Sequence, residues 1–219
     1  MKIKWLGHAC FLITSEKGIK IITDPYKSGD PINYDEINEP ADVVLVSHDH
    51  FDHSNTAAVK GAPVVIKTAG ISEAKGIKFK GIPAFHDEAG GSKRGKNTIF
   101  VFELDGIRIC HLGDLGHRLS NKDFAEIGKV DVVFIPVGGL YTIDGTVATE
   151  VVSKLSPKVT VPMHYLTQRV NAVKFGAICG PEDFVKGKTN VQQPNSSEIE
   201  LKAGKLPAST QIIVLKPAL

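Results

Sequence analysis

The chain has 219 residues, of which 42% are apolar and 23% charged, with a formal charge of +2. That composition excludes disorder, and the length allows a sizeable core, expected as a single domain over residues 1–219. A charge so near neutrality gives no nucleic-acid footprint, and no apolar run reaches the ~20 residues needed to span a bilayer.

Met1 leads directly into Lys2-Ile3-Lys4-Trp5-Leu6-Gly7-His8. This start lacks the apolar stretch and cleavage site of a signal peptide, so a cytoplasmic location is expected. Short apolar or β-branched runs bounded by Gly, Pro, Asp or Asn predict strands at 11–14 and 19–23, around a Glu16-Lys17-Gly18 turn. Residues 26–40 form the longest early loop, either functional or a plain surface excursion. Further strands are expected at 43–46, 64–67 and 77–82. Those at 98–104 and 107–112 flank Asp105-Gly106, a pair suited to a tight hairpin. The later strands are expected at 132–135, 159–161, 198–201 and 212–215. Helices are predicted at 54–60, 121–127 and 146–155, and from Pro181 to about residue 186. Cys10, Cys110 and Cys179 are far apart and form no Cys-x-x-Cys pair, so they read as reduced and mostly buried. Hairpins early, then strands alternating with helices, predict an α/β protein: a four-layer αββα sandwich of two mixed sheets with outer helices.

All eight histidines lie between positions 8 and 164, three of them within Ser47-His48-Asp49-His50-Phe51-Asp52-His53. Imidazole and carboxylate groups suit zinc and similar divalent ions. After an extended strand, His48 and His50 can point the same way while Asp52 and His53 swing round with the bend. His86, Asp114 and His164 each follow an apolar run as well, so the candidates fall at the C-terminal ends of strands and can converge on one rim.

The complete His-x-His-x-Asp-His signature at 48–53 resembles the metallo-β-lactamase superfamily. So do Trp5-Leu6-Gly7-His8, Ile22-Thr23-Asp24-Pro25, His111-Leu112-Gly113-Asp114 and Pro162-Met163-His164-Tyr165. Within that superfamily the chain is most similar to small metal-dependent hydrolases related to ascorbate-phosphate lactonase. The resemblance implies the αββα fold, with His48, His50 and His86 holding one ion, Asp52, His53 and His164 a second, and Asp114 bridging. Two divalent ions are expected, zinc first, with manganese, iron or nickel admitted by the same ligands. A metal-bridging hydroxide would be the nucleophile, with Asp52 and Asp114 holding it and able to accept its proton.

Other residues near this rim have open roles. His8 can orient a ligand, contact substrate, protonate a leaving group, or simply hydrogen-bond to backbone. Asp24 can accept from a metal-bound imidazole or form an Asx turn. His117 is a candidate general acid or oxyanion donor, or a packing residue; His111 reads as a core hydrogen-bonding residue. Lys93 and Arg94, in the Gly-rich loop after His86, suit capture of a phosphate or carboxylate, or are solvated loop charge. Tyr141, or backbone N–H groups beside it, can line the pocket. The leading reading is a hydrolase of an ester, lactone or phosphorylated small metabolite, with a small-molecule substrate and anionic ones among the expected classes. A metal-dependent nuclease or phosphodiesterase is the alternative, disfavoured because no added nucleic-acid-binding segment is visible. A non-catalytic metal-binding sensor is a third. Nothing in the sequence sets the oligomeric state.

Overall fold

A computed structural model describes residues 1–219. The first strands are β1 (Lys2–Gly7), β2 (Cys10–Thr14), β3 (Lys20–Thr23), β4 (Val43–Leu45) and β5 (Val64–Ile66). They are followed by β6 (Gly70–Ala74), β7 (Ile77–Phe85), β8 (Lys96–Leu104), β9 (Ile107–His111), β10 (Val132–Pro136) and β11 (Val159–Met163). Short strands β12 (Val191–Gln192), β13 (Glu198–Glu200) and β14 (Gln211–Ile213) complete the set. The helices are α1 (Asn121–Ile127), α2 (Gly145–Leu155), α3 (Ala172–Phe175) and α4 (Glu182–Val185).

These strands build two mixed sheets, one ordered β13-β1-β2-β3-β4-β5 and the other β12-β14-β11-β10-β9-β8-β7-β6. The first is antiparallel through β3 and parallel from β3 to β5. The second is antiparallel from β6 to β9 and parallel beyond. The predicted Asp105-Gly106 hairpin is present, both residues at positive φ.

Side chains alternate across a strand, so β2 sends Phe11 and Ile13 between the sheets and Cys10 and Leu12 to the outer face. Both faces are buried, which is why such strands read as unbroken apolar runs. Phe11 stacks on Phe134 of the opposite sheet, with centroids 4.1 Å apart. The expected sandwich is therefore observed, but its outer layers are unequal. Ala148, Val151 and Leu155 of α2 bury against the second sheet, with α1 beside it contributing Ile127. The first sheet is covered mainly by loop residues, including Tyr26, Ile32, Tyr34 and Ile37. The long loop thus supplies core, at least in part.

The helix predicted at 54–60 is only a 3-10 turn, Thr56–Ala58, with no side-chain cap. Ser54 Oγ donates to the His50 carbonyl, and Asn55 is tied to the carbonyls of Pro25 and Tyr26, so neither is free to start a longer helix. Cys10 and Cys110 are buried and Cys179 is exposed, all three free. No helix is long and apolar enough to cross a membrane.

Candidate metal centre

The residues singled out at strand ends meet on one rim. His48–His53 follow β4, His86 follows β7, Asp114 follows β9 and His164 follows β11. One carboxylate oxygen is the hub. Asp114 Oδ2 lies 3.2 Å from His53 Nε2, 3.2 Å from His164 Nε2, 3.3 Å from His86 Nε2 and 3.8 Å from His48 Nε2. Around it, His48, His50 and His86 form one group with ligand geometry, and Asp52, His53 and His164 form another, with His8 beside them. Asp114 approaches members of both groups, so the structure brings together every residue expected to hold metal.

The backbone is shaped for this convergence. Gly113 has φ +54°, and a Cβ there would sit 2.4 Å from Asn97 Oδ1 and 2.5 Å from Ser47 Cβ. Asn97 holds the turn from both sides, accepting from the Asp114 N–H at 3.0 Å and donating to the Leu112 carbonyl at 2.9 Å.

Neighbouring acceptors fix which ring nitrogen faces the cup. The Tyr141 carbonyl can only accept, so His86 Nδ1, 2.9 Å away, carries the proton and a neutral ring turns a lone pair at Nε2 toward Asp114. Ser47 Oγ donates to Asp24 Oδ2 at 2.8 Å, so it accepts from His48 Nδ1 at 2.9 Å, and the neutral His48 ring likewise presents Nε2. His53 Nδ1 lies 3.3 Å from Asp24 Oδ2. These outer partners orient the rings as they do in metal sites generally.

The cup's electrostatics call for a cation. Burial lowers the pKa of His48, reinforced by His53, to about 3, and burial lowers that of His86 as well. Burial acts to raise the Asp114 carboxyl, but the imidazoles of His164 and His53 hold it well below the usual range. Burial acts to lower His53, yet the carboxylates of Asp114 and Asp52 push it well above an ordinary histidine. The lone pair of the neutral His86 ring therefore faces an ionised carboxylate across 3.3 Å, an arrangement that a positive ion between them relieves. Asp114 Oδ1 and His53 Nε2 are also buried without a hydrogen-bond partner. The residues fit a metal site on these grounds.

Two of the candidate residues lie apart from the cavity above the cup. His117 is outside the cup: its Nε2 accepts from the Phe85 N–H at 3.2 Å and its Nδ1 donates to the Arg118 carbonyl at 2.9 Å, leaving no ring nitrogen for acid or oxyanion chemistry. His117→Ala should therefore leave metal content and turnover within about twofold, with a stability loss of about 1 kcal/mol for the lost bonds. Elemental analysis and an ester assay check this, and a tenfold fall in kcat would return His117 to the chemistry. His8 is fully buried and does not line that cavity. Its Nε2 donates to Asp52 Oδ2 at 3.2 Å, and its carbonyl accepts from the His164 N–H at 3.1 Å, so this turn positions two candidate ligands.

His111 keeps its expected core role, donating to Asp24 Oδ2 at 2.7 Å. Asp24 proves to be more than a turn residue, since it also accepts from the Ser47 N–H at 2.6 Å. Lys93, Arg94 and Tyr141 line a cavity of ≈ 490 Å³ above Asp52, Asp114 and His164. Sequence reasoning gave no role to Ser47, Asn97 or Asp87. For Ser47 the only signal was adjacency to His48, and for Asn97 a polar residue leading an apolar strand.

A family model described as a β-lactamase superfamily domain matches residues 2–164. A UPF0173 metal-dependent hydrolase of Carboxydothermus hydrogenoformans is 35% identical over 209 residues, covering 80% of this chain and 89% of that protein. Another from Thermococcus onnurineus is 32% identical, covering 85% and 91%. Among solved structures, a Thermotoga maritima protein proposed as a zinc-dependent hydrolase of the metallo-β-lactamase superfamily is 41% identical, with a TM-score of 0.79 and coverage of 98% and 97%.

Proposed function

The chain belongs to the β-lactamase superfamily and, within it, to the UPF0173 metal-dependent hydrolases, and from that premise we propose that it binds two divalent ions and hydrolyses an ester, a lactone or a phosphorylated small metabolite. The observation that carries the reading is the convergence of the His48, His53, His86 and His164 Nε2 atoms on Asp114 Oδ2 beneath an open cavity.

His48, His50 and His86 would hold one ion, and Asp52, His53 and His164 the other, with Asp114 shared. Two such ions lower the pKa of a bound water toward neutrality and polarise the bond under attack. The protein supplies the rest. Asp52 and Asp114 are both held ionised against the cost of burial, so each presents a charged carboxylate to a cation at the cup floor. The cavity of ≈ 490 Å³ suits a small molecule rather than a polymer, with Phe51 and Phe175 at its wall. Zinc fits this ligand chemistry first, with manganese, iron and nickel also compatible.

Elemental analysis beside a His48→Ala/His50→Ala variant tests the reading. The expected result is about two metal equivalents per chain, with at least one lost in the variant together with ester turnover. A parent protein that takes up no metal after reconstitution with zinc or manganese would refute it.

A further inference from the structure

The loop after His86 is built more rigidly than a solvated surface excursion. The Asp87 carboxylate accepts four backbone N–H groups, from Ala89, Gly91, Lys93 and Arg94, at 2.7–3.0 Å. The His86 N–H donates to the Gly95 carbonyl at 3.1 Å and closes the loop. Lys93 and Arg94 are thus fixed at their backbones, so little ordering is needed when they take a ligand.

The cations around the cup differ in what they face. Lys67 pairs with Asp49, Arg118 with Glu150 and Lys174 with Asp30. Arg94 has no carboxylate partner. Its guanidinium carbon lies over the Tyr141 ring, 3.2 Å from the centroid, and its Nε is buried without a hydrogen-bond partner. Arg94 also lines three adjoining cavities: the cup itself, a chamber of ≈ 400 Å³ reaching Thr142 and Val147, and one of ≈ 710 Å³ reaching Lys67 and Lys96. Tyr141 serves both sides of this junction, because its ring supports Arg94 while its carbonyl fixes His86.

We propose that Arg94, seated on Tyr141 and backed by Lys93, is the anion-recognition element of the cup and selects substrates carrying a carboxylate or phosphate beside the bond to be cleaved. With no carboxylate partner and a place in the cavity lining, the guanidinium's Nη groups are available to an oxyanion, which they match with two parallel hydrogen bonds. The proposal names the substrate class of the hydrolase reading and rests on it.

The test uses matched esters, one neutral and others bearing a carboxylate or a phosphate on the acyl side, with metal-loaded protein. Arg94→Gln should lower the ratio of kcat/KM for charged over neutral esters by about tenfold or more, the scale of a lost charge-assisted hydrogen bond. Arg94→Lys should recover only part of that ratio, because an ammonium lacks the fork. The neutral ester is the internal control for folding, and the series with the larger drop identifies carboxylate or phosphate as the preferred group. A ratio unchanged in Arg94→Gln overturns the proposal. A second readout needs no turnover: inorganic phosphate should bind the metal-loaded parent about tenfold more tightly than the Arg94→Gln variant. Equal phosphate affinities overturn the anion site. A phosphate difference in a protein that cleaves none of the esters supports the anion site while removing the ester-hydrolase reading.

Discussion

Asp114→Ala is expected to empty the cup and silence it. In the parent, one Asp114 oxygen stands within 3.3 Å of three imidazole Nε2 atoms belonging to both ligand groups, at a side chain that is almost wholly buried. Removing one member of a buried charge cluster costs about 3–5 kcal/mol. Expressed as ion affinity, that is roughly 10²–10⁴-fold. Metal content and turnover should fall together, because under the proposed two-ion reading the same carboxylate would hold the ions and lies at the cup floor. Asp114→Asn preserves the volume and the Asn97 contact to the backbone N–H while removing the charge, so it separates electrostatics from collapse of the Gly113 turn. If Asp114→Asn binds two metal equivalents as tightly as the parent, Asp114 is not shared between the ions. Retention of both metal and turnover in the alanine variant would remove it from the site altogether.

The cup's candidate ligands are legible in the sequence because each interrupts the end of an apolar strand. His48 follows β4, His86 follows β7 and His164 follows β11, so local patterning and a dense motif suffice to place them. Their supports are not legible in the same way. His8 meets Asp52 across 44 residues of sequence, Asn97 meets Asp114 across 17, and Asp24 meets His111 across 87. No local periodicity encodes such pairings, which arise only when two sheets close. His117 shows the converse. It stands three residues after Asp114, yet Gly116 packs so closely on the His86 backbone that a Cβ would lie 2.3 Å from the His86 carbonyl carbon. The chain passes behind His86 there, and the His117 ring falls on the far side, against Phe85. In the fold, strand ends and the Asp105-Gly106 hairpin follow directly from turn chemistry. β6 does not, because Gly70-Ile71-Ser72-Glu73-Ala74 has mostly exposed side chains and becomes a strand by pairing along the edge of β7. The region at 54–60 has helical composition but spends its Ser54 and Asn55 groups on neighbouring backbone.

Asp24 carries the largest expected effect on stability, and it separates a metal-supporting role from a turn-forming one. Its carboxylate is fully buried and accepts from the Ser47 N–H, Ser47 Oγ and His111 Nε2, with His53 Nδ1 3.3 Å away. Burial acts to raise this carboxyl, but His111 and then His53 depress it far below the ordinary carboxylate range. Asp24→Ala leaves those donors unpaired in the interior and should cost about 3–5 kcal/mol. For a chain of this size the corresponding fall in Tm is roughly 6–20 °C. It also frees the Ser47 and His53 contacts that aim two rings into the cup, so metal affinity should drop about 10–100-fold. Asp24→Asn is the deciding variant. The residue has φ +38°, a conformation that Asn tolerates as readily as Asp, so a backbone turn would be preserved. The amide cannot reproduce the charge, and its NH₂ would face the His111 or His53 donors. Loss of stability and metal affinity in Asp24→Asn, measured by thermal unfolding and metal titration, therefore assigns Asp24 to the polar lattice beneath the cup. Parent-like values for both would assign it to the turn alone.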